Sequence, residues 1–331
     1  MNTMLNRRQM MIATAAASFP AISPAKSGWA QAGWPSKPIR WIVNFPPAGA
    51  ADILSRTLAE YYGTRLGQPI VVENKPGAGG LLGADIVAKA RGDTHLVMMS
   101  SAASHGIGPV LYKDVPYDPL ADFTHIHLVG TFPTVLAVSA SSPITSVAQL
   151  IEMAKAKPGE VTYGSGGNGT MNHLTGQVLA RAAGVQLTHI PYRGSAPAMN
   201  DLMGGQIVAL MESLPTAIGY FTSGRMRPLA VSEDQRSSSL PDVPTFREAG
   251  FAGVVTTNWF GFTATADIPR DLVLRWESET GAALQSAQVK EAFAKIGVRP
   301  GTLGASGYTD LIRGELARWK EVIAAGNIRA D

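Results

Sequence analysis

The sequence predicts an α/β protein built as two lobes, and three observations carry that prediction. From Gly33 onward short apolar strands alternate with helical stretches. The strands are near-continuous apolar runs with little period-two alternation, as expected of strands covered on both faces. Two long extended stretches, "FTHIHLVGTFPTVLAV" and "GVVTTNWFGFTAT", have the character of segments that cross between lobes. A chain of 331 residues is long enough for two domains, and its 45% hydrophobic and 16% charged content suits a buried core rather than disorder.

Taken in order, "IRWIVN" (39–44) reads as a strand and 51–66 as a helix. "PIVVEN" (69–74) is the next strand, 79–90 a helix and "HLVMMS" (95–100) a third, buried strand. The theme repeats with "VLAVSA" (135–140), a helix from near Ser146 stopped by Pro158-Gly159, "VTYGS", and a helix over 171–183. "QLTHIPY" (186–192), a helix over 195–203, "IVALME" (207–212) and "RMRPLAVS" (225–232) continue it. "SSSLPDVPTFREAGF" reads as an exposed loop with a short helix. Helices follow over 270–286, 288–296 and 307–324. The last places Leu311, Ile312, Leu316, Trp319, Val322 and Ile323 on one stripe, the mark of a surface helix docked on a core. No fixed-period repeat is present.

Residues 1–32 read as an export signal. Arg7 and Arg8 open it, a short apolar run follows, and "WAQA" places Ala30 and Ala32 at the small-residue positions of a cleavage site. The paired arginines fit the twin-arginine route loosely, and the general secretory route stays open. There is no cysteine, so an exported chain folds without disulfides and has no thiol for a lipid anchor. Arg7, Arg8 and Lys26 are unmatched by any acid within this segment, which leaves 25 basic against 25 acidic residues in the body. A neutral body lacks the basic stripe that nucleic-acid binding requires.

Three loops rich in Gly, Ser and Ala each follow a strand and feed a helix, where ligands of open α/β sheets sit. They are "FPPAGAAD" (45–52), "SSAASHGIGP" (100–109) and "GSGGNGTMNH" (164–173). Small residues let backbone N–H groups approach a ligand, and the helix dipole adds partial positive charge. One exposed helix terminus contributes only ~0.3–1 kcal/mol, so one loop is weak and several converging on a carboxylate are not.

Competing chemistries fit less well. Gly164, Gly166 and Gly169 match a dinucleotide fingerprint, but the next strand ends in Arg193 where an acid should bind the ribose. Arg193 suits a 2′-phosphate, so that reading stands beside a tight turn that holds no ligand. A P-loop lysine is missing, and no G-x-S-x-G elbow occurs. His125 and His127 share a strand face as two metal ligands would, without an acid or Cys to complete a set. His105 and His173 lie in or beside glycine-rich loops, as ligand contacts or as packing groups. Trp259 lines an apolar wall of the cleft or belongs to the core.

Together "WPSKPIRWIVNFPPAGAAD", "VVENKPGAGG", "PVLYKDVPYDP", "YGSGGNGTMNHLTG", "HIPYRGSAPAMNDLMGGQI" and "RPLAVSEDQRSSSLPDVPTFREAGF" resemble the Bug family, the extracytoplasmic (TctC-like) receptors associated with tripartite tricarboxylate transporters. The resemblance implies a type II periplasmic-binding-protein fold, with lobe 1 over 33–136 plus 257–331 and lobe 2 over 137–256. It implies a monomeric periplasmic receptor, not an enzyme, with no cofactor. Its partners would be a small carboxylate (an organic, amino or aromatic acid) and a membrane permease. A ligand sensor for a regulatory system and a secreted enzyme with a nucleotide cofactor are the alternatives. Carried over from the family, the grip on the carboxylate falls on Phe45, Ala48, Gly49, Ala50 and Asp52, then Ser101, Ala102, Ser104 and His105, then Ser165, Gly167, Asn168, Gly169 and Thr170. Tyr192, Arg193, Glu212 and Ser213 would flank the distal end. Two departures matter. Ala48 replaces the first glycine of the family's usual "PPGG" and tolerates positive φ poorly, so a shifted loop is expected. "MESLP" replaces a common Asp-Asn pair, and Glu212 fits either a ligand amine or a hydrogen-bonded strand end.

Overall fold

A computed structural model describes residues 33–326 and 328–329, so the expected export signal lies outside the described residues. The first part of the chain forms β1 (Ile39–Val43), α1 (Ala50–Leu66), β2 (Ile70–Asn74), α2 (Leu81–Ala88) and β3 (Leu96–Ser101), then a π-helical turn over Ala102–Ile107 and α3 (Gly108–Leu111). The long strand β4 (Phe123–Ser139) leads to α4 (Val147–Ala156), β5 (Thr162–Ser165), α5 (Met171–Ala183), β6 (Thr188–Pro191) and α6 (Ser195–Met203). Then come β7 (Ala209–Ser213), α7 (Leu214–Thr222), β8 (Met226–Val231) and β9 (Thr257–Thr265). The chain ends with α8 (Arg270–Gln285), α9 (Ala287–Lys295), β10 (Arg299–Pro300) and α10 (Ala305–Gly326).

The strands run in the order β2-β1-β3-β9-β4-β7-β5-β6, with β8 and β10 also on β4. Each half has a parallel trio, β2-β1-β3 and β6-β5-β7, closed by an antiparallel strand that arrives from the crossing. β4 pairs with β9 as far as Pro133 and with β7 from Thr134, so one strand serves both sheets. The partner change comes three residues before the boundary expected after Leu136. Ser232 joins the two crossings. It exchanges hydrogen bonds with Thr134 (both 3.0 Å), and its carbonyl accepts the Thr256 N–H at 2.9 Å.

Local chemistry accounts for the element ends. Gly67 and Gly184 close α1 and α5 in the left-handed conformation that glycine takes without a Cβ penalty. The Ser146 and Thr170 side chains cap α4 and α5 by accepting the N–H three residues on. Between Ser237 and Phe251 the expected short helix is absent: Pro241 and Pro244 interrupt it, and Thr245 forms a single bridge to Val231. Nor is that segment simply exposed, because Leu240, Val243 and Phe246 are buried. α7 was not expected, although Ser213 followed by Pro215 is a recognisable helix start.

Separate cores stabilise the halves. Trp41, Tyr62, Phe262 and Trp276 centre one, and Leu136, Tyr163, Met211 and Phe246 lie in the other. α10 docks through Tyr308, Ile312 and Trp319, with Leu311, Leu316, Val322 and Ile323 at the margin, as its stripe predicts. Tyr308 lies directly over Gly261 of β9 and hydrogen-bonds Ser100 at 2.6 Å, so a Cβ on residue 261 would enter its ring. Gly261→Ala is therefore expected to cost about 1–3 kcal/mol through overpacking, read as a lower urea midpoint at unchanged slope. An unchanged midpoint would show that α10 repacks freely.

Candidate functional site: a cavity at four helix starts

Between the two halves lies a cavity of about 290 Å³. Four helices begin at its wall: α1 with Gly49, Ala50 and Ala51, α5 with Thr170, Met171 and Asn172, α6 with Gly194, Ser195 and Ala196, and α7 with Ser213 and Thr216. The first N–H groups of a helix have no acceptor within it. At α1, α6 and α7 no side chain caps them either. Each terminus carries roughly half a positive charge, so the wall is rich in donors although Arg193 is its only cationic side chain among the described residues. Phe45, Phe260 and Met199 supply apolar surface.

The first loop is held from behind. Ala48 takes φ 63°, a left-handed conformation that glycine adopts more readily than alanine. The Ala48 N–H donates to Asp52 Oδ2 at 3.0 Å, Arg56 binds both carboxylate oxygens at 3.0 Å, and Asn74 Nδ2 donates to Oδ1 at 2.9 Å. Burial alone pushes Asp52 up, but the hydrogen bonds from Arg56, Ala48 and Asn74 together outweigh it and hold the carboxyl below its usual range. Asp52 thus shapes the loop without forming part of the cavity wall.

The glycine-rich loop is braced in the same way. Ser165 Oγ bonds His189 Nε2 at 2.7 Å and accepts the Gly167 N–H at 3.2 Å. Its glycines answer to packing and backbone shape. Gly164 lies under Ile207 and Tyr192, and Gly169, at φ 72°, lies against Tyr112. A second cleft, lined by Gly77 to Gly80, Gly167, Tyr192 and Arg193, adjoins the cavity at Phe45, Pro46 and Gly194. Here the halves touch: Tyr112 O–H donates to the Asn168 carbonyl at 3.2 Å, and Pro46 packs beside Gly194.

Of the residues expected at the ligand, Phe45, Ala48, Gly49, Ala50, Ser101, Thr170, Arg193, Glu212 and Ser213 line the cavity, and Gly167 and Tyr192 line the adjoining cleft. The others lie behind the wall. Ala102 is packed in the core under α10, and Asn168 and Gly169 sit at the Tyr112 contact. Ser104 caps the π-helical turn with Ser101. His105 is buried against Phe123 and His125, and burial pushes its pKa well down. The other histidines are also accounted for by packing. His125 bonds the Pro119 carbonyl at 2.9 Å, a bulge separates it from His127, and His173 stacks on His189 at 4.1 Å. Trp259 is core; its neighbour Phe260 reaches the cavity.

The sequence reading missed Asn172, the hub of the cavity floor. Its Oδ1 accepts from Thr134 at 3.0 Å and Asn258 at 3.2 Å, and its Nδ2 donates to Glu212 Oε1 at 3.2 Å. Thr134 belongs to β4 and Asn258 to β9, so the floor is tied to the crossing strands. Glu212 is 1% exposed and lies at the inner end. Burial pushes its carboxyl up to about 7, against the Ser213 N–H, the Ser195 hydroxyl and Asn172, which favour the charged form.

The Tripartite tricarboxylate transporter family receptor model matches residues 54–328. The chain belongs to this receptor family. Protein BugT of Bordetella pertussis is 36% identical over 291 residues, covering 88% of this chain and 89% of that protein. Among solved structures, R. palustris Rpa4515 with adipate is 32% identical with a TM-score of 0.87, covering 89% of this chain and 99% of that one. MatC (Rpa3494) from Rhodopseudomonas palustris with bound malate is 26% identical with a TM-score of 0.83, covering 88% and 100%. The resemblance read from the sequence and the two-lobed α/β binding-protein fold are thereby shown, and the family is one of receptors rather than enzymes.

Asp52→Asn keeps the shape of this receptor's loop anchor and removes its charge. Because the folded pKa lies below the unfolded one, the stabilisation from Asp52 is present above the unfolded value and fades as pH falls through the folded value. The variant should lose about 1–3 kcal/mol at neutral pH and converge on wild type in acid. Parallel melting curves across that range check this, and a loss independent of pH would contradict it.

Proposed function

We propose that this receptor captures one small organic carboxylate between its lobes outside the cytoplasm and presents it, chemically unaltered, to the membrane permease of a tripartite transporter. The observation that carries the reading is the convergence of four helix N-termini on one small cavity. A carboxylate there receives backbone donors from both halves, and in a water-poor site such donors act at lower effective dielectric than on an open surface. The volume suits a small acid rather than a dinucleotide.

Adipate in one relative and malate in another support the ligand class. The lobe division we favour keeps the described residues before the β4 partner change with those from Thr257 onward in lobe 1, and the intervening residues in lobe 2. Closure then moves α1 and Ser101 against α5, α6 and α7, and the free-energy gain comes from donors on both sides sharing one anion.

Protein refolded free of ligand should bind one carboxylate of a broad panel per chain, saturably. At a concentration a hundred times Kd this raises stability by about 2.7 kcal/mol, visible as a higher Tm. The matching neutral amides should give no shift, and mass spectrometry should recover the acid unchanged. Failure of every acid to bind, or turnover of a bound one, would sink the proposal.

A further inference from the structure

Two oxygens of residues lining the cavity have no hydrogen-bond partner, Glu212 Oε2 and Thr216 Oγ1. Both are sealed from bulk water. The two oxygens of Glu212 are unequal: Oε1 accepts the Ser213 N–H at 2.8 Å and Asn172 Nδ2 at 3.2 Å, whereas Oε2 accepts nothing. Ser195 stands near enough for its hydroxyl to favour the charged form, yet it makes no hydrogen bond of good geometry to Oε2. Around this end stand Thr134 of β4, Asn258 of β9, Asn172 of α5, Ser195 of α6, and Ser213, Thr216 and Tyr220 of β7 and α7. Arg193 is the one other charged side chain on the wall, and Tyr220 the one other titratable group, among the described residues. No cation pairs with Glu212 among them.

A buried carboxylate with one oxygen unpartnered carries an uncompensated desolvation cost. A ligand can relieve it in two ways. An ammonium would pair with the charged form but brings three donors into a wall that is itself made of donors. A second acid group is an acceptor, matches the other helix starts, and can take a hydrogen bond from Oε2 if Glu212 is protonated. The donor-rich wall favours the second way.

Resting on the receptor reading above, we propose that Glu212 determines specificity for the far end of the ligand: protonated on Oε2, it donates to the second carboxylate of a dicarboxylate. The first carboxylate takes the α1 and α5 starts, and Thr216 Oγ1 supplies a further donor beside Glu212. The chain then takes from solvent, with each ligand, the share of a proton that Glu212 lacks in the free state, which approaches one as pH rises. A carboxyl already raised to about 7 by burial supplies that proton at small cost.

The test is calorimetry of the whole receptor with succinate, glutarate and adipate, and with amino acids of matching length, from about pH 6.5 to about pH 8.5 in two buffers of different ionisation enthalpy. The best dicarboxylate should bind with uptake of close to one proton at the upper end, and its affinity should fall toward about tenfold per pH unit there. Glu212→Gln, a neutral mimic with a permanent donor, should bind the same acid with no proton uptake and a flat pH profile, its fold checked by melting. Flat wild-type affinity without proton uptake overturns the proposal whether or not the variant folds. Proton release with tighter binding of an amino acid, or loss of dicarboxylate binding in folded Glu212→Gln, also overturns it. If dicarboxylates and amino acids alike fail to bind while another carboxylate does, this proposal falls and the receptor reading stands; if no acid binds, both fall.

Discussion

Four helices aim their positive ends at one small space, and the rest of the molecule is arranged around that electrostatic constraint. Like partial charges that face each other across a dry gap repel, so the arrangement is unfavourable until an anion lies between them. The cost is kept within bounds because the termini belong to two bodies. α1 stands on one half, and α5, α6 and α7 stand on the other. On the proposed function, separating the halves would let water reach every terminus, and bringing them together would be favourable only around a suitable ion.

That division places strong demands on the crossing. A strand that pairs with β9 along one stretch and with β7 and β8 along the next must be rigid on both sides and bend only where partners change. Thr134 stands at that point, and it is also bonded to Asn172 and Asn258 under the cavity. Ser232 ties Thr134 to Thr256 at the other crossing. The cavity floor and the point of partner change therefore share a hydrogen-bond network of short polar side chains, with little slack between a change at one and a response at the other.

Much of this could be read from the residues, and the losses have physical reasons. Apolar strand runs and helix caps mark β1, β3, α5 and α6 almost to the residue, because their local chemistry and their burial agree. The strand-end loops point to the cavity for the same reason. What the sequence hides is which face of a loop a side chain takes. Asp52, Ser104, His105 and Ser165 sit in the right loops and turn inward to brace them. Asn172 hides in the opposite way. It looks like an ordinary first-turn helix residue, and only the meeting of α5 with β4 and β9 makes it a hub. α7 escaped because its start signal is brief and lies against a strand of similar composition.

The Tyr112 phenol on the Asn168 carbonyl sits at the rim, away from the cargo, yet spans both halves. If the halves open as proposed, such a clasp adds nothing to the encounter of an acid with them, since it would form only once they meet. Its influence falls on departure. On the proposed function, how long a captured molecule stays, and so how much time a permease would have to accept it, is set partly by one phenolic hydrogen bond that never touches the ligand.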